Sequence, residues 1–175
     1  MNCKEWNSII EETKGNLSNN FFDNETSRSK ELDEIEIQEL TRINSGFKEF
    51  DRVLGGGFVN GSIVLLGGEP GIGKSTLILQ SAAKISSLEK VLYVTAEESL
   101  EQIKIRWERL TQKSSNLRIF AENNLSSIIS EIKRLKPSIA IIDSIQAINN
   151  ADMESASGSV SQVRSCSSEL QNFAK

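Results

Sequence analysis

Histidine is absent from all 175 residues. That removes imidazole general-base chemistry and every Ser–His nucleophile, leaving carboxylates, lysine and bound metal to run any reaction. Cysteine is nearly absent too. Cys3 and Cys166 are the only two, they lie far apart, and they form no C-x-x-C pair. They therefore frame neither a disulfide scaffold nor a complete cysteine zinc site. No apolar run approaches the roughly 20 residues of a bilayer span. The opening "MNCKEWNSII" lacks a basic stretch followed by an apolar one, so neither anchor nor secretory leader is read and the chain is expected in the cytoplasm. An excess of positive charge is also missing. The net charge of −4 argues against a uniformly basic nucleic-acid binder, although one face can still be basic.

What is present is the composition of an ordinary globular domain, 38% apolar and 25% charged, in a chain long enough for one core. Residues 13–34, "TKGNLSNNFFDNETSRSKELDE", are polar and lack a sustained apolar period, which reads as a flexible linker. From about Ile35 the texture changes. Eight of the eleven glycines fall between Gly55 and Gly73, a clustering that marks a functional stretch of backbone more than ordinary turns.

An alternation of strands and helices follows. "SIVLL" (62–66) is expected to form a short buried strand, and "STLILQSAAKISS" a helix beneath a sheet. "KVLYVTA" gives the next strand, followed by a helix striped by Leu100, Ile103, Trp107 and Leu110. "NLRIFA" is a weaker strand. Leu125, Ile128, Ile129, Ile132 and Leu135 then repeat at helical spacing, with Pro137 as the stop. "SIAIIDS" is a fourth buried strand, and Val163, Cys166, Leu170 and Phe173 stripe a last helix. Strands joined by crossover helices predict an α/β fold: a parallel sheet with helices on both faces.

Gly68, Gly73, Lys74 and Ser75 satisfy G-x-x-x-x-G-K-[ST] between an expected strand and an expected helix. Glycines let successive N–H groups curl toward one point, the helix start adds its positive end, and Lys74 adds a full charge. The loop Gly68, Glu69, Pro70, Gly71, Ile72, Gly73, Lys74, Ser75, Thr76 is thus expected to hold the phosphates of ATP, with the Ser75 hydroxyl on Mg²⁺. Asp143, at the C-terminal end of "IAIID", is expected to support that ion through water; the alternative is a simple turn cap. Glu97 and Glu98 follow the strand "VLYVTA" and are the candidates to orient or deprotonate an attacking water. Their alternative role is favourable acidic charge at a helix start.

"FDRVLGGGFVNGSIVLLGGEPGIGKSTLILQ", "VLYVTAEESLEQIKIR", "IAIIDSIQAI" and "SGSVSQVRSC" resemble, in order from about Ile43 to Lys175, successive segments of the bacterial RadA (Sms) family of RecA-like DNA-repair ATPases. "CKEWNSIIEE" is similar to the end of that family's N-terminal four-cysteine zinc finger, with Cys3 at its last zinc ligand. The resemblance implies an ATPase that binds single-stranded and branched DNA, acts in recombinational repair, and assembles as a ring of like subunits. It puts Glu97 where such ATPases carry the water-activating glutamate, with Glu98 beside it and Lys74 in the catalytic loop. It makes Ser144 and Gln146 nucleotide sensors, against a helix cap and a solvated side chain. "NNADMESASGSVSQVR" resembles a DNA-facing loop with Gln162 and Arg164 as phosphate contacts; Asp152 and Glu154 would oppose phosphate there. The basic set Lys104, Arg106, Arg109, Lys113 and Arg118 reads first as a solvated amphipathic face and second as a DNA track.

The departures bear on what to expect. Three zinc cysteines have no counterpart, so zinc is expected only in a longer family member. The family's K-N-R-F-G motif and Lon-protease-like domain are also without counterparts, as is the strand that in related ATPases inserts between the aspartate strand and the phosphate-loop strand. The resulting organisation is a zinc-finger remnant at 1–12, a linker at 13–40 and a partial RecA-like ATPase domain at 41–175, read as an internal piece that alone turns over little ATP. The rival readings are another RecA-like ATPase, such as a clock-protein or replicative-helicase relative, and a non-catalytic fragment that binds nucleotide weakly.

Overall fold

The computed structural model describes residue 29 and residues 31–34, 41–110, 116–153 and 155–175. The expected finger remnant with Cys3, most of the linker, Lys113 and Glu154 lie outside the described residues. The chain divides into two units, Met1–Ile37 and Gln38–Lys175. In the first, Leu32–Glu34 form a 3-10 turn. The second carries the remaining elements.

That unit opens with a feature the sequence pattern did not announce. Strands β1 (Arg42–Ile43) and β2 (Phe58–Val59) pair antiparallel around a short helix α1 (Lys48–Val53). Two-residue strands leave no readable period, so only tertiary contacts reveal them. The Ser45 N–H donates to Asp51 Oδ1 (2.7 Å), and the ribbon is tied to helix α2 (Lys74–Ile85) by the Ser81 hydroxyl on the Ser45 carbonyl (2.7 Å). The Lys84 ammonium adds a bond to the Gly46 carbonyl (2.7 Å) and lies 3.6 Å from the centre of the Phe47 ring.

The main sheet is parallel, in the order β4 (Leu117–Ala121), β3 (Val91–Thr95), β5 (Ile139–Asp143). β3 pairs on both edges and all five of its residues are buried. Its alternation divides the core. Val91 and Tyr93 pack with Leu79, Ala82 and Ile85 of α2 and Ile103 of α3 (Leu100–Glu108). Leu92 and Val94 pack on the other face with Leu125, Ile128 and Ile129 of α4 (Leu125–Leu135) and Cys166 of α5 (Val160–Ala174). Each such buried aliphatic side chain stabilises the fold by about 1.5–3 kcal/mol relative to exposure. The expected α/β class with helices on both faces is what forms.

The helices start and stop for local reasons. Ser99 and Gln102 make a reciprocal capping box at the start of α3, and the Asn124 side chain accepts from the Ser127 N–H at α4. Lys136 closes α4 in the left-handed region at φ 48°, just before Pro137. Leu100 departs from its expected stripe: as the first residue of α3 it stays exposed.

The larger correction concerns "SIVLL". Residues 62–66 form no strand, and Ile63, Val64 and Leu65 are exposed, Leu65 to 82%. A strand exists only as one side of a ladder. Among the described residues β5 pairs only with β3, so no ladder reaches this segment. β5 is likewise less buried than a central strand, with Ala140 exposed.

The contrast can be measured. Leu65→Ala should change the free energy of urea unfolding by less than about 0.5 kcal/mol, as exposed positions do. Ile128→Ala, at a fully buried site, should cost about 2–5 kcal/mol. A Leu65 effect in the second range would restore the buried strand.

Candidate nucleotide site

The loop Gly67–Gly73 runs directly into α2, whose first turn has no side-chain cap and no acidic residue. The first N–H groups of a helix have no partner within it, so here they are left to a ligand, and the helix dipole favours an anion. Gly71 and Gly73 take φ of 79° and 102°, a region where a Cβ is strained and glycine is not. Lys74 bends back over the loop, its ammonium donating to the carbonyls of Gly68 and Glu69 at 2.8 Å each. Glu69, Pro70, Ile72 and Thr76 are exposed, while Ser75 is half-buried on the first turn. Uncapped amides, positive-φ glycines and one ammonium form a cradle whose chemistry fits phosphate.

The pleat sets what faces this cradle. β3 and β5 pair with Tyr93 opposite Ile141 and Thr95 opposite Asp143. Ile139 and Ile141 pack on the α2 side, so by alternation Asp143 stands on the face that α2 covers. The Tyr93 hydroxyl donates to Asp143 Oδ2 at 2.6 Å. Burial, and then the bond to and charge of Asp143, push the Tyr93 pKa far above its ordinary value, with Arg106 opposing, so the phenol keeps its proton. The Ala96 N–H donates to the Asp143 carbonyl at 3.0 Å, and the next peptide, Asp143–Ser144, is cis.

Glu97 and Glu98 leave the end of β3 in different situations. Glu98 is pinned: its N–H donates to Thr95 Oγ1 (3.0 Å), its carbonyl accepts from that hydroxyl (2.9 Å), and its carboxylate pairs with Arg106 on α3. Arg106 is half-buried, and its Nη2 has no hydrogen-bond partner among the described residues. It therefore does not belong to the solvated basic face on which the sequence placed it. Lys104, Arg109 and Arg118 do remain exposed. Glu97 is exposed and accepts a hydrogen bond from the Ser144 hydroxyl. The structure thus joins Glu97 to Ser144 across the ends of β3 and β5, while Gln146, in the 3-10 turn Ile145–Ala147, stays exposed.

Gln162 is not placed to touch DNA. It is fully buried, its Nε2 donating to Asn149 Oδ1, the Asn150 carbonyl and the Ser155 carbonyl (3.2, 3.1 and 2.8 Å), and its Oε1 accepting from the Asn150 N–H (3.1 Å). An amide with this many backbone partners folds the 149–155 loop onto α5. Arg164, two residues on, is exposed on α5 beside a cleft lined with Met153, Val160, Ser161 and Glu169.

Comparison with known proteins accords with this geometry. The family model described as ATPase: KaiC matches residues 43–125. A KaiC-like protein of Pyrococcus horikoshii shares the fold at a TM-score of 0.60 and 22% identity, over 77% of this chain and 67% of that one. DNA repair protein RadA of Listeria monocytogenes is 43% identical over 178 residues, and RadA of Haemophilus influenzae 43% over 180, each match covering 99% of this chain and 39% of the relative. RadA of Streptococcus pyogenes is 44% identical over 177 residues. Over nearly its whole length the chain is thus similar to proteins named DNA repair protein RadA, and its fold is that of a KaiC-like protein. It spans about two fifths of the length of the curated relatives it matches. The RadA matches extend well past residue 125, where the family model ends, through β5 and α5.

Gln162→Leu should lower unfolding stability by about 2–4 kcal/mol, because it strands the Asn150 N–H and the carbonyls of Asn150 and Ser155. Arg164→Ala should stay within about 0.5 kcal/mol. Urea titration followed by circular dichroism compares the two.

Proposed function

We propose that this chain carries the nucleotide-binding and hydrolysing site of a RadA-type repair ATPase that works on single-stranded or branched DNA in the bacterial cytoplasm. The observation that carries the reading is that the uncapped phosphate loop at α2 and the Asp143 carboxylate share one face of the sheet. In this reading the loop amides of Gly68–Thr76 and the Lys74 ammonium hold the phosphates of ATP. Ser75 and, through water, Asp143 hold Mg²⁺. When bound, that ion supplies positive charge that neutralises the phosphate oxygens as the terminal bond breaks.

The two glutamates take separate roles. Glu97 orients and deprotonates the attacking water, since its carboxylate is exposed and is aimed by the Ser144 hydroxyl. Ser144 in turn follows Asp143 directly, so the residue that supports the metal and the one that aims the base are neighbours. Glu98 acts as a fixed strut: with its carboxylate held by Arg106 and its backbone by Thr95, it sets the direction in which Glu97 leaves β3. The partner DNA is supported by the likeness to DNA repair protein RadA and by the exposed Arg164 on α5; a ring of like subunits is carried by that likeness alone. A subunit ring would also supply the cation that phosphoryl transfer commonly takes from a neighbour, a contribution of about 10³ or more in rate.

Lys74→Ala should weaken binding of a fluorescent ATP analogue by about 1.5–3 kcal/mol, roughly 10- to 150-fold, since it removes a charge-assisted bond. Equal affinity for the two proteins would sink the phosphate-loop reading. Phosphate release separates the glutamates. Glu97→Gln should keep analogue affinity and lose about 10² or more of the hydrolysis rate, as loss of a positioned base does. Glu98→Gln should keep more of that rate and instead lower the melting temperature.

A further inference from the structure

We infer that Tyr93 is a positioning residue for the phosphate site, its hydroxyl fixing the Asp143 carboxylate in the orientation that supports Mg²⁺. The inference rests on the nucleotide reading given above. Tyr93 is fully buried in the middle of the central strand, in a core otherwise made of Leu79, Ala82, Ile85, Val91 and Ile103. The other buried members of that cluster are aliphatic and the residues packed against it are apolar, so a phenol placed among them gains nothing over phenylalanine unless its hydroxyl finds an acceptor. The acceptor it finds is Asp143 Oδ2, at 2.6 Å, within the short range of an O–H···O⁻ bond.

The register makes this bond specific. Asp143 pairs with Thr95 and Ile141 with Tyr93, so the carboxylate stands two residues further along the neighbouring strand on the same face. The tyrosine side chain is long enough to span that offset and reach the carboxylate from below. Reaching up from the core, the hydroxyl engages one carboxylate oxygen and thereby limits the rotation of the whole group. The backbone of Asp143 is held separately, its carbonyl accepting from the Ala96 N–H. Main chain and side chain of the same aspartate are therefore both held by the strand that carries Glu97 and Glu98 at its end.

A purely structural role would treat Asp143 as nothing more than the partner that a buried hydroxyl requires. The two roles differ in what the metal feels. Tyr93→Phe keeps the ring and the packing and removes only the bond. In the positioning role the Mg²⁺ midpoint for binding a fluorescent ATP analogue rises about tenfold, at the lower end of what loss of an outer-shell partner costs. In the structural role only the melting temperature falls, and the midpoint stays.

Tyr93 is the single tyrosine of the chain, which gives a second readout that needs no substitution. Protein labelled with ¹³C at the tyrosine ζ carbon has one resonance from that label, and it reports the hydrogen bond of this hydroxyl. Adding Mg²⁺ to the protein already holding the analogue in EDTA should move that resonance with the same midpoint as the fluorescence, and Asp143→Asn should abolish the movement. An unchanged midpoint in folded Tyr93→Phe, or a resonance indifferent to Mg²⁺, overturns the assignment; should Tyr93→Phe not fold, the resonance alone decides. Failure of the nucleotide reading looks different: the unmodified protein would then not bind the analogue, or Lys74→Ala would bind it equally well.

Discussion

β3 is hydrogen-bonded on both edges and packed on both faces, and its pleat decides which residues of this molecule are able to meet. Because side chains alternate strictly along a strand, burying Val91 and Tyr93 against α2 and α3 commits Leu92 and Val94 to α4 and α5. A slip of one residue would exchange the two cores and place Tyr93 on the wrong side of the sheet from Asp143. The parallel register with β5 then carries the same choice to Asp143. The fold is thus a device for bringing a helix start and a strand end onto one face, and the chemistry depends on that parity more than on any single contact.

Electrostatics at the strand ends follow from how little cation is available there. Asp143, Glu97 and Glu98 leave the C-terminal ends of β5 and β3, and three nearby carboxylates repel one another. The structure offsets this by giving each a different partner: Tyr93 for Asp143, Ser144 for Glu97, Arg106 for Glu98. Only the last is a full charge. Arg106 is half-buried and one of its nitrogens has no partner among the described residues, a cost on the order of 1–3 kcal/mol that an ordinary surface arginine would not carry. Its pairing with Glu98 makes it a strut for that carboxylate.

Much of this was legible in the sequence where the signal is local. The apolar stripe of Leu125, Ile128, Ile129, Ile132 and Leu135 sets α4 to its observed ends, and the glycine-lysine loop announces its own geometry, because helix period and positive φ are properties of a few neighbouring residues. Asp143 was legible from the strand that ends in it. The failures share a non-local cause. "SIVLL" has a strand's composition, but a strand needs a partner, and none of the described residues supplies one. Gln162 and Arg106 carry polar side chains that pattern reading assigns to solvent, whereas Asn150, Ser155 and Glu98 draw them inward from positions that only the folded chain brings close. The distinct situations of Glu97 and Glu98 were invisible for the same reason.

The phosphate loop itself is supported unequally. On its C-terminal side α2 is locked into the core through Leu79, Ala82 and Ile85; on its N-terminal side Ile63, Val64 and Leu65 face solvent and leave their burial energy unrealised. The direction of the loop amides is therefore set by α2, and α2 is set by its packing against Val91 and Tyr93. Tyr93 thus serves the cradle through its ring and the carboxylate through its hydroxyl. One side chain references the helix start and Asp143 to the same strand, whereas the 62–66 segment, which joins no ladder among the described residues, offers the loop no such reference on its other flank.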